Sequence, residues 1–227
     1  MRVRADEVRP AASILKVPLA AAAYAAAAAG ELDLEQEVTR SELPESLYPS
    51  VLVAVAGGHR FRLGELCRLA LITSDNASAS HLLRLVGARR VNDWIAAQGC
   101  HKTCLEVGFS DEDLGKSARR NVSTAEESLK LVRLVATDER YADLGQALQN
   151  NLRSTRIPLR LPDRTPVRHK TGTLLGVVND VGVIIGRRVD LAVAILSDGE
   201  MDGAKSSLEI GDFVGKVWGA LGEEVAW

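Results

Sequence analysis

The chain has 227 residues, of which 46% are hydrophobic and 26% charged, so it can bury a core and is not intrinsically disordered. A formal net charge of −2 gives no reason to expect nucleic acid or a membrane as partner, which leaves a small molecule or a peptide. Three cysteines are too few for a disulfide framework. The chain as printed shows no signal peptide, so a cytoplasmic protein is expected as it stands, and an exported one if the true N-terminus is longer.

Helical patterns dominate up to about residue 152. The alanine-rich segment from Ser13 to Ala29 predicts a helix that ends at Gly30, because alanine favours helix and glycine commonly stops it. Apolar residues spaced three and four apart predict further helices over residues 63–72, 76–86, 88–98, 124–135 and 139–152.

The pattern changes to strands from Pro166 onward. Short β-branched runs separated by glycines predict consecutive antiparallel strands, the last of them over about Val189 to Ser197. Apolar residues from Ile210 to Leu221 then repeat along one face of a closing helix. The order is therefore helices, then strands, then one helix.

A serine and a lysine three positions apart, Ser13 and Lys16, begin the first predicted helix. Side chains at this spacing are neighbours, with Cβ atoms about 5–6 Å apart, so the lysine amine can hydrogen-bond the serine hydroxyl. Apolar neighbours would lower the pKa of the amine and let it accept the hydroxyl proton. The pattern suits a nucleophile and its base, although Ser-x-x-Lys alone also fits a solvated lysine at a helix start.

Two later stretches strengthen the catalytic interpretation. Ser74-Asp75-Asn76 lies at a predicted loop-to-helix junction, and Lys170-Thr171-Gly172 lies on the first strand of the late sheet. With Ser13-x-x-Lys16, and in this order, they resemble the motif triplet of class A β-lactamases and penicillin-binding proteins. The resemblance covers nearly the whole chain, and it is carried by "RADEVRPAASILK", "LGELCRLALITSDNASASHLL" and "KTGTLLGVVNDVGVII".

The resemblance implies an α+β fold of the β-lactamase and transpeptidase kind, in which a helical region packs on an antiparallel sheet. Residues 1–12 and 166–227 would form the sheet region and residues 13–165 the helical region of one interlocked catalytic unit. The implied function is that of a serine hydrolase that forms an acyl-enzyme with a β-lactam or a related amide or ester, without a metal or organic cofactor. An esterase or peptidase of the same fold, and a penicillin-binding or vestigial protein with little turnover, remain alternatives.

The catalytic roles follow from the same resemblance. Ser13 matches the nucleophile, and Lys16 matches the base that activates it. Ser74 matches the hydroxyl that relays a proton to the leaving nitrogen, and Lys170 matches the second cation that supports this relay. The backbone N–H groups of Ser13 and Thr173 would form the oxyanion hole.

The substrate-binding roles also come from the resemblance. Asn76 matches the amide that holds the acyl side chain of the substrate. Thr171 and Thr173, together with Lys170, would face a substrate carboxylate. Gly172 fits a close approach of two backbones. Asp75 is expected to fix its loop rather than to touch the substrate.

The sequence departs from the family in two places. Family β-lactamases carry a Glu-Pro-x-x-x-Asn stretch whose glutamate activates the deacylating water. Counting back from Asn121 without gaps puts Phe109 in the place of that glutamate and Asp113 in the place of the asparagine. A small gap would instead bring in one of the neighbouring carboxylates, which are Glu106, Asp111, Glu112 and Asp113.

The second departure is at the start. Family members have a helix and two strands before the nucleophile, whereas twelve residues precede Ser13 here. Either the chain is a fragment or begins at a misassigned start, or the protein does without these strands. The last strand would then be an apolar edge, which residues 2–8 or a neighbouring chain are expected to cover; self-association through this edge is one outcome.

Overall fold

Helices precede a three-stranded sheet, and one long helix follows it. The computed structural model describes residues 1–46, 48–110, 113, 116, 120–199 and 201–222. Its helices are α1 (Lys16–Ala28), α2 (Leu63–Ile72), α3 (Asn76–Val86), α4 (Ala88–Ala97), α5 (Ala125–Thr137), α6 (Ala142–Gln149) and α7 (Gly203–Ala220). Its strands are β1 (Arg9–Pro10), β2 (Glu37–Thr39), β3 (Arg60–Arg62), β4 (Val122–Ser123), β5 (Val167–Leu174), β6 (Val177–Ile184) and β7 (Leu191–Ile195).

Helix α1 runs through the centre of the helical region. Most of its residues are buried, and small alanine side chains let the surrounding helices approach it closely. Pro18 lies in its first turn, where the missing N–H group costs no helical hydrogen bond. The helix ends as predicted, since Gly30 has a φ of +73° and its N–H donates to the carbonyl of Ala27.

The three late strands form an antiparallel sheet in the order β5-β6-β7, as predicted. Strand β6 is buried along its whole length because both faces of the sheet are covered. On one face, Val181 and Val183 pack in the core that contains α1 and α5. On the other face, Val178 and Ile184 pack with Trp218 of α7. A helical region packed on an antiparallel sheet is the β-lactamase-like arrangement that the sequence predicts.

The outer edge of β7 borders a cavity. Within the described residues β7 pairs with β6 alone, so its other edge carries no strand. A cavity of about 850 Å³ lies along this edge, between α5 and α7, and residues 1–5, Glu7 and Arg9 contribute to its lining. The N-terminal residues reach the cavity, where Arg2 forms an ion pair with Glu126 of α5, but they do not pair with β7 as a strand.

Two small sheets and one interrupted helix were not predicted. Strand β1 pairs with β4, and β2 pairs with β3. The segment predicted as one helix over residues 139–152 forms a 3₁₀ turn over Glu139–Tyr141 and then α6, which ends at Gln149. In the part of the chain that the structure describes, no helix combines the length and apolarity needed to cross a membrane.

Candidate active site

Ser13 lies in a tight turn that leads directly into α1. This 3₁₀ turn spans Ala12–Leu15, so the regular helix begins at Lys16 rather than at Ser13. Ala12 has a φ of +51°, a backbone conformation that L-residues rarely adopt, and it turns the chain sharply just before the serine. Ser13 is partly exposed between buried neighbours. The turn thus presents the hydroxyl-bearing residue to a surface while its flanking residues anchor it in the core.

The amine of Lys16 is fully buried and points to the start of α3. Lys16 Nζ donates to the carbonyl oxygen of Ser74 at 2.5 Å and to Asn76 Oδ1 at 2.6 Å, and it lies 3.3 Å from Ser74 Oγ. Among the described residues, no hydrogen bond joins this amine to the Ser13 hydroxyl. The helix spacing predicted a Ser13–Lys16 neighbourhood, but the acceptors that hold the amine come from a segment distant in sequence.

The Ser74 hydroxyl lies within hydrogen-bonding distance of two lysine amines. The φ of +60° at Ser74 is unusual for a serine and lets its carbonyl oxygen and its hydroxyl both contact lysine amines. Lys170 Nζ reaches the same hydroxyl from β5, at 3.0 Å, and also donates to the carbonyl of Thr171 at 2.8 Å. The structure therefore brings Lys16, Ser74, Asn76 and Lys170 into one hydrogen-bonded cluster.

Burial lowers the pKa of both amines. Lys16 has its pKa lowered from 10.5 to about 7, chiefly because burial penalises the ammonium form; Asp75 opposes this shift and Arg153 adds to it. The pKa of Lys170 lies well below its ordinary value for the same first reason, and the positive charge of Lys16 lowers it further. An amine with a pKa near 7 is a substantially neutral base at physiological pH, so it can accept a proton.

Asp75 fixes the junction between the loop and α3, as expected. Its Oδ1 accepts a hydrogen bond from the backbone N–H of Ser78 at 2.6 Å, which makes it the N-cap of the helix. Its Oδ2 accepts a hydrogen bond from the hydroxyl of Ser50. The carboxylate is fully buried and both of its oxygens are occupied, so its contacts are structural.

Strand β5 runs alongside the turn that contains Ser13. A Cβ atom on Gly172 would lie 2.7 Å from the Ala11 carbonyl oxygen, which no real side chain tolerates without a backbone shift. Gly172 therefore permits the close approach of β5 that the sequence predicted. Thr171 is buried next to Lys170, and Thr173 is exposed at the end of the strand.

Arg156 contacts β5 beside the cluster, and the sequence patterns did not reveal it. Its guanidinium is largely buried and donates to the carbonyl oxygens of Gly172 and Asn179 and, at 2.6 Å, to Thr173 Oγ1. Burial holds its pKa below the ordinary value. No motif marks this residue, because its role depends on a loop folding back over β5.

Phe109 also lies next to the Lys16 amine. Its ring is buried, and its centroid lies 5.2 Å from Lys16 Nζ, within the range of a cation–π contact. Asn121 fixes the chain just before it, since Asn121 Oδ1 accepts from the N–H groups of Glu106 and Val107. Phe109, which the ungapped count from Asn121 puts at the position of the family glutamate, therefore lies against the Lys16 amine.

The carboxylates of this segment have other contacts. Glu106 is exposed and accepts a hydrogen bond from Arg120 Nε at 2.8 Å, while Asp113 Oδ2 accepts from Ser110 Oγ at 2.7 Å. Asp111 and Glu112 lie outside the described residues. Within the described part of the segment, the contact made to the Lys16 amine is aromatic and not carboxylate.

Comparison with known proteins identifies the family. A sequence model described as the beta-lactamase enzyme family matches residues 1–219. The chain belongs to the beta-lactamase enzyme family. It is 24% identical over 204 residues to the beta-lactamase VEB-1 of Pseudomonas aeruginosa. The matched region covers 81% of this chain and 68% of that protein.

Solved structures of the family superpose on nearly the whole chain. A beta-lactamase from Sphaerobacter thermophilus DSM 20745 is similar with a TM-score of 0.84 and 28% identity, over 98% of this chain and 87% of that one. A single-residue mutant of PBP-A, solved as an acyl-enzyme complex with penicillin G, is similar with a TM-score of 0.83 and 22% identity, over 98% of this chain and 85% of that one. The family membership supports a serine hydrolase, and the expected β-lactamase-like fold is confirmed.

Proposed function

We propose that this protein is a serine hydrolase that is acylated on Ser13 by a β-lactam or a related amide or ester and releases the acyl group slowly. The observation that carries the proposal is the Ser74 hydroxyl, which lies within 3.3 Å of one buried lysine amine and 3.0 Å of another. Burying two amines is costly, and a purely structural cluster would gain little from it. Proton transfer along a chain of such groups explains the arrangement.

Acylation begins with attack by the Ser13 hydroxyl oxygen on the carbonyl carbon of the substrate. Its proton passes to the Lys16 amine, which is substantially neutral because its pKa is about 7. The carbonyl oxygen becomes an oxyanion, which the N–H groups of Ser13 and Thr173 stabilise. The close packing at Gly172 supports this pairing, since it holds β5 against the nucleophile turn.

Collapse of the tetrahedral intermediate then breaks the bond between the carbonyl carbon and the leaving nitrogen. Ser74 Oγ gives its proton to that nitrogen, and the ammonium form of Lys16 gives a proton back to Ser74 Oγ. Both groups then have the protonation states with which they started. Lys170 holds Ser74 Oγ from the other side and stabilises negative charge that develops there. The product is an ester on Ser13; the amine departs from a linear amide but stays attached through the opened ring of a β-lactam.

Substrate groups on either side of the scissile bond have partners available. Asn76 Oδ1 accepts a hydrogen bond from Lys16, so the Asn76 Nδ2 hydrogens stay available to donate to the carbonyl of the substrate's acyl side chain. On the leaving side, Lys170, Thr171 and Thr173 form the anion site for a carboxylate. Arg156 supports this site through its contact with Thr173 Oγ1.

Phe109 is the reason that we expect slow release of the acyl group from Ser13. Hydrolysis of the ester needs a water that is oriented and deprotonated by a base, and such help is typically worth about 10²- to 10⁴-fold in rate. A phenyl ring against Lys16 can neither orient that water nor take its proton. This observation favours a penicillin-binding protein with low turnover over a fast β-lactamase.

Intact-protein mass spectrometry after incubation with benzylpenicillin tests the proposal. We expect a burst of about one equivalent and an adduct on Ser13 that persists. Ser13→Ala is the control and should remain unlabelled. Steady, rapid turnover with no detectable adduct would show that release is fast, and the absence of any adduct or turnover would refute acylation by β-lactams.

A further inference from the structure

A second arginine, Arg153, lies three residues before Arg156 and is exposed to solvent. Its guanidinium carbon lies 5.7 Å from the centroid of the Tyr48 ring. No carboxylate within the described residues forms an ion pair with it. Stacking on an aromatic ring restricts a guanidinium without neutralising it, which leaves its N–H donors for another anion.

The backbone at Arg153 is fixed to the catalytic strand. Its N–H donates to Asn151 Oδ1 at 2.8 Å, and Asn151 Nδ2 donates to the carbonyl of His169, the residue before Lys170. The N–H of Leu152 donates to the carbonyl of Ile72 at the end of α2. Because these bonds hold Arg153 and the two residues before it, the backbone at Arg153 is positioned relative to β5.

The positive charge of Arg153 acts on the site itself. The stacking partner of Arg153, Tyr48, lies two residues before Ser50, whose hydroxyl bonds Asp75 next to Ser74. The positive charge of Arg153 also contributes to the lowered pKa of Lys16 and Lys170. Arg156, by contrast, is buried and uses its donors on protein oxygens. Of these two arginines, Arg153 is the one whose donors a ligand can reach.

Basic side chains outnumber the carboxylates around the site. The four are Lys16, Arg153, Arg156 and Lys170; burial lowers the pKa of both lysines, so the two arginines carry the permanent positive charge. The carboxylates that interact with them are Asp75 and Asp180. Both are fully buried: Asp75 bonds to Ser50 and Ser78, and Asp180 bonds to His169 and the N–H of Ile157. At this opening the basic groups therefore outnumber the acidic ones, although the whole chain has a net charge of −2.

We propose that Arg153, stacked on Tyr48, forms a second anion subsite on the leaving-group side, so that preferred substrates carry two carboxylates on the group that departs. The inference rests on the proposed acylation of Ser13. One carboxylate faces Lys170, Thr171 and Thr173, and the second contacts the Arg153 guanidinium at the opening.

Two thioesters that share one acyl group test this subsite. Phenylacetylglycyl thioesters of mercaptoacetate and of mercaptosuccinate differ by one carboxylate on the leaving thiol, and both leave the same ester on Ser13. We expect the mercaptosuccinate compound to acylate the wild-type protein about three- to fivefold faster, as fits an ion pair at an exposed position. The second-order acylation constants are measured from the rate of adduct formation by mass spectrometry.

Variants separate charge from structure. Arg153→Gln should reduce the ratio of the two constants to about one, and Arg153→Lys should retain most of it. Arg89→Gln removes an equal charge from exposed helix α4 and should leave the ratio unchanged. A wild-type ratio near one, or a ratio that Arg153→Gln does not alter, refutes the subsite while acylation stands. If neither thioester nor benzylpenicillin labels Ser13, the proposed function fails and the subsite fails with it.

Discussion

The amine of Lys16 has two unlike sides. On one side, the start of α3 offers it two oxygen acceptors, from Ser74 and Asn76, at 2.5 and 2.6 Å. On the other side, it meets the ring of Phe109. In the mechanism that we propose, the polar side supplies what proton transfer during acylation needs, whereas the aromatic side lacks a base to activate water. The two halves of a hydrolytic cycle thus depend on different segments of the chain, and one segment can be complete without the other.

The two sides also differ in how they are built. The polar side is assembled from α1, α3 and β5, whose contributing side chains are almost entirely buried. The aromatic side follows a segment whose backbone is held by Asn121 and whose acidic residue Glu106 turns outward to Arg120. Substitutions should therefore affect acylation strongly on the first side and ester release selectively on the second.

The largest effect is expected from removing the nucleophile or its base. Ser13→Ala and Lys16→Ala should each lower acylation by benzylpenicillin at least about 10⁴-fold, because groups that act as a unit fail together. Adduct formation is followed by intact mass, with circular dichroism to verify folding. Labelling of Ser13→Ala at the wild-type rate would show that the nucleophile is another residue.

A carboxylate at position 109 should restore the missing half. Phe109→Glu is expected to speed release of the penicilloyl group about 10²-fold, because it places a base next to Lys16 at the position that the family resemblance assigns to the water-activating glutamate. Phe109→Gln has nearly the same shape but no base, and it should leave release slow. Equal rates for the two variants would assign the gain to the smaller side chain rather than to proton transfer.

Acylation should depend on pH through Lys16. Its pKa is lowered to about 7 and the neutral amine is the active form, so the acylation constant should fall about tenfold for each pH unit below 7 and level off above it. The measurement is adduct formation by benzylpenicillin between pH 5 and 9. A profile that stays flat down to pH 5 would mean that Lys16 is not the base.

The smallest effect on ester release is expected from substituting the carboxylates between residues 106 and 113. Glu106→Gln and Asp113→Asn should change ester release less than about twofold, since one faces Arg120 and the other Ser110. Asp111→Asn and Glu112→Gln extend the test to the neighbouring acids. Loss of release in any one of the four variants would identify that residue as a water-activating base and require a gap in the alignment.

The sequence predicted most long elements well, because their patterns are local. Helices α2 and α3 have the predicted bounds, and Gly30 ends α1 where its freedom to adopt a positive φ is needed. The short strands β2 and β3 were missed, since three residues carry too little alternation to detect. The split before α6 at Tyr141 was missed too, because apolar spacing continues through it.

The site was predicted in part for the same reason. Motifs singled out Ser13, Ser74 and Lys170; the structure places Ser74 Oγ 3.0 Å from Lys170 Nζ, and the role of Ser13 stays a prediction. The acceptors of Lys16, by contrast, are set by how α3 packs on α1, and helix spacing alone pointed to Ser13. Arg156 could not be found, because it acts through carbonyl oxygens that every residue carries.

The side-chain amide of Asn179 in β6 connects the residues just before Ser13 to the sheet. Asn179 Nδ2 donates to the carbonyl oxygens of Pro10 and Ala11, and Asn179 Oδ1 accepts from the N–H of Ser197 just beyond β7. Strand β7 lies at an edge within the described residues, and edge strands open at lower free energy than central ones. On warming, fraying of β7 would therefore slacken the turn that carries Ser13 while the helices stay intact, so the protein should lose its reactivity at a lower temperature than its fold.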